Sequence, residues 1–142
     1  MRKTVRNTIP LLIGSILLAA APAQAERAPR ATGEEKLARV LEGRVAGEPV
    51  DCVNMRQIRS TRIIDGTAIV YEASGGKLYV NRPESGAESL NDWDVMVTNT
   101  HSNRLCDIDV VRLVNRHGGF NTGLVFLGRF VPYTKPKADR GD

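Results

Sequence analysis

Two cysteines, two histidines and two acidic pairs are the side chains of this 142-residue sequence whose types and spacing could do chemistry. His101 stands shortly before Cys106 and Asp107. With Asp107, or with the Asp92/Asp94 pair, it would supply the acid and base of a small hydrolase. A nucleophilic triad also needs its three groups to meet in space, and no serine sits in a G-x-S-x-G turn. His117 is followed by Gly118 and Gly119, so it decorates a turn. The plainer reading of His101 is likewise an exposed loop histidine. Asp92-Trp93-Asp94 and Asp107-Ile108-Asp109 each place two carboxylates on one face of a strand. Such pairs bind hard cations or act as acid and base. Val110-Val111-Arg112 follows the second pair where a calcium loop needs a further ligand and a glycine, so turn capping and strand-end solvation explain both pairs more simply. Trp93 is the only tryptophan. Exposed, it would be a stacking platform for a ligand, although a lone tryptophan is more often buried. Arg59, Arg62, Arg112 and Arg129 could ring an anion, while alternation with carboxylates on a solvated face is commoner. No phosphate loop, dinucleotide fingerprint or metal motif is present. No catalytic constellation is complete, and no cofactor or metal is expected.

The thiols have a stronger reading. Cys52 and Cys106 allow one intramolecular pairing. Redox catalysis favours a close C-x-x-C pair, and zinc needs more ligands than these cysteines and histidines supply at their spacing. A structural disulfide closing a loop of roughly 55 residues would restrict the unfolded chain by about 4 kcal/mol.

A disulfide needs an oxidising compartment, and the amino terminus supplies the route to one. Arg2, Lys3 and Arg6 precede an uncharged run whose apolar centre is Leu11 to Ala21. As a helix this core spans roughly 16 Å, too short for a bilayer interior of ~30 Å. Pro22 breaks it, and Ala23-Gln24-Ala25 offers small residues where a signal peptidase reads. The expectation is a signal peptide over 1–25, cleaved between Ala25 and Glu26, and a periplasmic or secreted product with no membrane span. Removing Arg2, Lys3 and Arg6 lowers the net charge from +4 to +1. The remaining cations are interspersed with acids, so nucleic-acid binding is set aside.

Composition is ordinary for one globular domain, with 42% hydrophobic and 25% charged residues. Residues 26–32 form a flexible lead-in. Thr32 and Glu35 make a capping box, and Leu37, Val40 and Leu41 follow at helical spacing, so a short helix is expected over about Gly33 to Glu42. Strand patterns follow: Ile58 to Ile64, Thr67 to Tyr71, Lys77 to Asn81, Asp94 to Thr100, Ile108 to Asn115 and Asn121 to Phe130. Asp65-Gly66 predicts a two-residue hairpin loop with a type I′ turn, in which Ile64 faces Thr67, Thr61 faces Val70 and Arg59 faces Glu72. Leu90 and Trp93 are expected to anchor the polar loop Arg82 to Asp92. The nearly continuous apolar character of the last strand places it centrally. The charged segment 134–142 reads as a disordered tail. The fold class is mainly β: a single small antiparallel barrel or sandwich of about six strands over 33–133, with one amino-terminal helix.

Asp51-Cys52, the stretch Arg56 to Thr67, Tyr79 to Pro83, Leu105-Cys106 with Asp109, and Leu127 to Tyr133 together resemble a family of small exported proteobacterial proteins with a domain of unknown function. The resemblance covers about Arg44 to Tyr133 and both cysteines. It implies an exported bacterial domain with paired cysteines and transfers no activity or site. The expected function is therefore a non-enzymatic envelope or secreted domain with a binding or accessory role toward an envelope component or small ligand. The alternative is the small envelope hydrolase with a His/Asp site.

Overall fold

A computed structural model of the chain describes residues 31–100 and 102–136. The expected leader with its cleavage site, most of the lead-in, His101, and residues 137–142 of the expected tail lie outside the described residues.

The capping box is present as read. Thr32 accepts the Glu35 N–H at 3.3 Å, and the Glu35 carboxylate accepts the Thr32 N–H at 2.8 Å. It starts helix α1 (Gly33–Val40), which buries Leu37. Ten strands follow: β1 (Val45–Ala46), β2 (Cys52–Asn54), β3 (Ile58–Ile64), β4 (Ala68–Ala73), β5 (Leu78–Asn81), β6 (Asp94–Thr98), β7 (Arg104–Cys106), β8 (Val110–Asn115), β9 (Asn121–Phe126) and β10 (Phe130–Thr134). They pair antiparallel into a five-stranded sheet in the order β1-β10-β5-β4-β3, a three-stranded sheet β6-β8-β9, and a ribbon of β2 with β7. The sheets do not close into a barrel; the arrangement is sandwich-like.

Two apolar clusters explain the layering. On one face of the large sheet, Ile63, Ile69, Tyr71 and Phe130 pack against Val111, Leu113 and Val125 of the small sheet and against Val53 and Leu105 of the ribbon. Leu90 and Leu127 fill the same core, and Tyr71 meets Phe130 edge-on at 5.7 Å between ring centres. On the other face, Ile64, Ala68, Val70, Leu78 and Val80 lie under Leu37 of α1. Covered on both sides, β4 buries every residue except Glu72, which is why its sequence runs apolar without alternation.

Several expectations change. The three very short strands β1, β2 and β7 carry too few residues for a period-2 pattern to show. The expected sixth strand is two: Leu127-Gly128-Arg129 interrupts it, β9 lies at the edge of the small sheet, and β10 crosses to the large one. The buried Asn81 side chain makes this break, accepting the Gly128 N–H at 3.2 Å and donating to the Gly128 carbonyl. A side chain at Gly128 would strike the Arg82 carbonyl, 2.4 Å from where its Cβ would stand. At the other end, Thr134 belongs to β10 rather than to a tail.

The hairpin register also moves by one. Ile64 faces Ala68, Arg62 faces Val70, Thr61 faces Tyr71 and Ser60 faces Glu72, so the loop has three residues, Asp65 to Thr67. A type I′ turn needs positive φ at both central positions; Gly66 has it, at 60°, and Asp65 does not. Tertiary contacts decide this. Gly66 N–H donates to the Leu90 carbonyl at 3.0 Å, Asp65 takes Lys36 and the Asp92 N–H, and Thr67 packs against Gly33 of α1. Arg59 becomes the bulge residue and donates to Ser74 at 3.2 Å, while Ser60 donates to Glu72 at 3.0 Å.

A cationic cleft between two open strand edges

β3 ends the large sheet and β6 ends the small one, each with a single hydrogen-bonded neighbour among the described residues. At one end the two strands are tied together. Asp65 Oδ1 accepts the Asp92 N–H at 2.9 Å, and Asp65 Oδ2 meets Lys36 Nζ at 2.8 Å. The Lys36 hydrogen bond is the main reason the Asp65 carboxyl titrates below its ordinary value. Partial burial opposes this, while the Asp92 amide and the Lys36 charge reinforce it. Beyond this clasp the strands separate around a cleft of about 770 Å³. It is lined by Lys36, Arg39 and Val40 of α1, by Thr61 to Ile64 of β3 with Asp65, by Asp94 to Met96 of β6, and by Asp92 and Arg116.

Each charge in the cleft has a local origin. Lys36 and Arg39 stand three apart on α1 and so share a face, held over β3 because Leu37 is buried beneath the helix. Arg62 shares the α1-facing side of β3 with Ile64, while Ile63 between them turns to the main core. Arg116 opens the β8–β9 turn, where the Asn115 side chain accepts the N–H groups of His117 and Gly118 at 3.0 and 2.9 Å. Asp94 is only 6% exposed and accepts the Thr122 hydroxyl at 2.6 Å. The side chains of Arg39, Arg62 and Arg116 are exposed and make no ion pair or hydrogen bond with a described residue. Three uncommitted guanidiniums on one concavity are a ready set of donors for carboxylate or phosphate oxygens.

Of the residues singled out by sequence, the structure gathers Asp92, Asp94 and Arg62 in this cleft and leaves the other described ones elsewhere; His101 is not among the described residues. Trp93 does not anchor its loop; it is 66% exposed and does not line the cleft. The cause is local: Asn91 accepts the Trp93 N–H through its side chain at 3.0 Å and the Asp94 N–H through its carbonyl at 3.1 Å, a tight turn that points Trp93 outward while Leu90 is buried. Asp107 and Asp109 are turn residues beside the ribbon. Asp109 accepts the Cys106 N–H at 2.7 Å, and Asp107 N–H donates to the Asp51 carbonyl at 2.8 Å. Arg129 pairs with Asp51 at 2.8 Å. His117 is exposed in its turn, and Arg112 lies on the outer face of β8. Lys36, Arg39 and Arg116 were not singled out, because nothing in their spacing reveals which edge they overhang.

Cys52 and Cys106 form the disulfide, facing one another across the ribbon with Cα atoms 4.0 Å apart. The bond is compatible with an oxidising periplasmic or extracellular location. Among the described residues no helix is long and apolar enough to cross a membrane, and no group of His, Cys, Asp and Glu side chains is arranged to hold a metal ion. The class defined so far is a small, mostly β, sandwich-like domain with one helix and one disulfide. Compared with family models, curated proteins and solved structures, the chain finds no match.

Proposed function

We propose that this chain is an exported, non-enzymatic binding module of the cell envelope or extracellular space, and that the cleft between β3 and β6 takes the anionic groups of its ligand. The observation that carries the reading is the convergence of Arg39, Arg62 and Arg116, none engaged by a described residue, on one concavity. Asp65, Asp92 and Asp94 also line the hollow, but Asp65 is held by Lys36 and Asp94 by Thr122, so the three guanidiniums keep their donors for a bound anion. Export rests on the leader pattern, on the disulfide, and on the resemblance to small exported proteobacterial proteins.

The test is calorimetric titration of the oxidised protein with citrate at low and at physiological salt, against the Arg39→Ala/Arg62→Ala double variant. Both side chains are exposed, so the variant keeps the fold. The expected result is saturable binding that weakens with salt and falls at least tenfold in the variant. Equal binding by both proteins, or none by either, overturns the reading. The alternative of a small hydrolase has one observation in its favour, the presence of Asp92 and Asp94 in the same cleft. Turnover of chromogenic esters, glycosides or peptides that Asp94→Asn abolishes would select it instead.

A further inference from the structure

The walls of the cleft include consecutive residues of both strands, Thr61 to Ile64 and Asp94 to Met96. A wall made of consecutive residues is made partly of main chain, so the hollow is bounded by two strand edges rather than by side chains alone.

The direction of the edge groups follows from the hydrogen bonds around them. Ile64 pairs with Ala68, and its carbonyl accepts the Thr67 N–H at 2.9 Å, so its polar groups face β4. Main-chain groups alternate along a strand, which turns those of Ile63 and Thr61 toward the cleft. On the opposite wall, Asn115 donates its N–H to Phe120 and accepts from Gly119, both at 2.9 Å. Its groups are thus turned to the β9 side and not to Asp94, its partner in β6. Asp94 and Met96 therefore direct theirs away from β8. The Asp94 N–H is taken by Asn91, leaving Met96 open. An unpaired edge attracts another strand, and folded β proteins normally cover, bend or charge it. Here the bulge at Arg59 ends the regular edge on one side and the Asp65 clasp ends it on the other.

We infer that the ligand of this cleft is an extended peptide that adds as a strand to the β3 edge, with acidic side chains alternating with apolar ones. The inference rests on the cleft being an anion site and adds what carries the anions. Alternation follows from the two environments along β3. Arg62 and Ile64 point to the α1 side, where Arg39 also lies, and Thr61 and Ile63 point to the side of Met96 and the main core. Every second residue of an added strand thus meets guanidiniums, and the residues between meet Ile63 and Met96. Length follows from volume: an extended residue at sheet spacing fills roughly 160 Å³, so about five fit into 770 Å³. That is close to the four residues of β3, Thr61 to Ile64, that line the cleft. Pairing of two copies through the same edge would bring Arg62 of each against the other, which disfavours a second copy as the occupant.

The experiment uses the oxidised protein and an acetylated, amidated pentapeptide of alternating glutamate and valine. Controls are the same peptide N-methylated at alternate residues, its lysine-for-glutamate version, and citrate. Binding is read by calorimetry and by amide hydrogen exchange at Thr61, Ile63 and Met96. The expected result is saturable binding of the acidic peptide, slowed exchange at Ile63, at least tenfold weaker binding for the N-methylated form placed to block the β3-facing groups, and none for the lysine form. If the N-methylated peptide binds as well as the parent while Arg39→Ala/Arg62→Ala still weakens both, strand addition fails and the anion site stands. If citrate binds and no peptide does, the result is the same. If neither binds, both ideas fail. Protection of Ile63 that rises with protein concentration in the absence of peptide assigns the edge to a second copy and overturns the inference.

Discussion

Replacing both cysteines, as Cys52→Ser/Cys106→Ser, tests the main covalent constraint without leaving a reactive thiol. The two residues are 54 apart in sequence. In the chain-entropy treatment, releasing a loop of that length frees the unfolded state by about 4 kcal/mol. The ribbon gives the loss a route into the native state as well. Val53 and Leu105, 2% and 0% exposed, project from β2 and β7 into the main core, so a loosened ribbon uncovers the core and not only itself. For a domain of this size each kcal/mol moves the melting temperature by roughly 4 °C or more, and the double variant should melt roughly 15 °C or more below the oxidised protein. Differential scanning calorimetry with both proteins at equal concentration, after checking reversibility, measures this. The single variant Cys52→Ser should in addition make Cys106 alkylatable. Melting temperatures that agree within about 3 °C would refute the argument, because neither the entropy of the long loop nor the burial of the ribbon could then be limiting.

Three other outcomes follow from the packing. Leu37→Ala empties the only buried position of α1 and should cost about 2–5 kcal/mol in urea unfolding; a change below about 1 kcal/mol would mean that α1 is not docked by Leu37. Tyr71→Phe should be neutral or stabilising by up to about 1 kcal/mol, because the Tyr71 hydroxyl is buried without a hydrogen-bond partner among the described residues. Burial also pushes its phenol well above the ordinary tyrosine value, so alkaline spectrophotometric titration of the folded protein should show one tyrosine missing from the normal wave. Finally, the carboxyls of Glu34, hydrogen-bonded to Arg82, and of Asp65, hydrogen-bonded to Lys36, titrate below their ordinary values of 4.5 and 3.8. A lowered folded value means stability present above the ordinary value and lost as pH falls through the lowered one. Asp65→Asn should therefore lower the neutral melting temperature slightly and flatten the acid limb, so that the two curves converge as pH falls through the lowered value. An unaltered acid limb would remove the clasp from the account. Both carboxylates are largely exposed, so the effect is small.

How far the sequence could be read depended on the range of the interaction that decides each feature. The α1 cap was legible because Thr32 and Glu35 settle it between themselves, three residues apart. The strands β3, β4, β5, β6 and β8 were legible because each has enough residues for an apolar pattern. The disulfide was legible because two cysteines have one pairing. The hairpin loop was not, since a two-residue turn and a three-residue turn differ by less than the contacts that Lys36, Leu90 and Asp92 make with it from elsewhere. The position of Trp93 was misread because the Asn91 turn, not hydrophobicity, aims that side chain.

The amino-acid order alone determined the β class, the helix, the cysteine pair and the absence of a complete catalytic motif, since these depend on composition, local spacing and neighbouring side chains. Only the tertiary structure decided that the sheets form an open sandwich, that two strand edges face each other, and that Arg39, Arg62 and Arg116 meet at the gap between them. Those three come from a helix, a strand and a turn, and their convergence arises from the packing of Leu37 on one face of the large sheet and of the small sheet on the other. No spacing along the chain encodes a distance that is set by the fit of two separate apolar clusters.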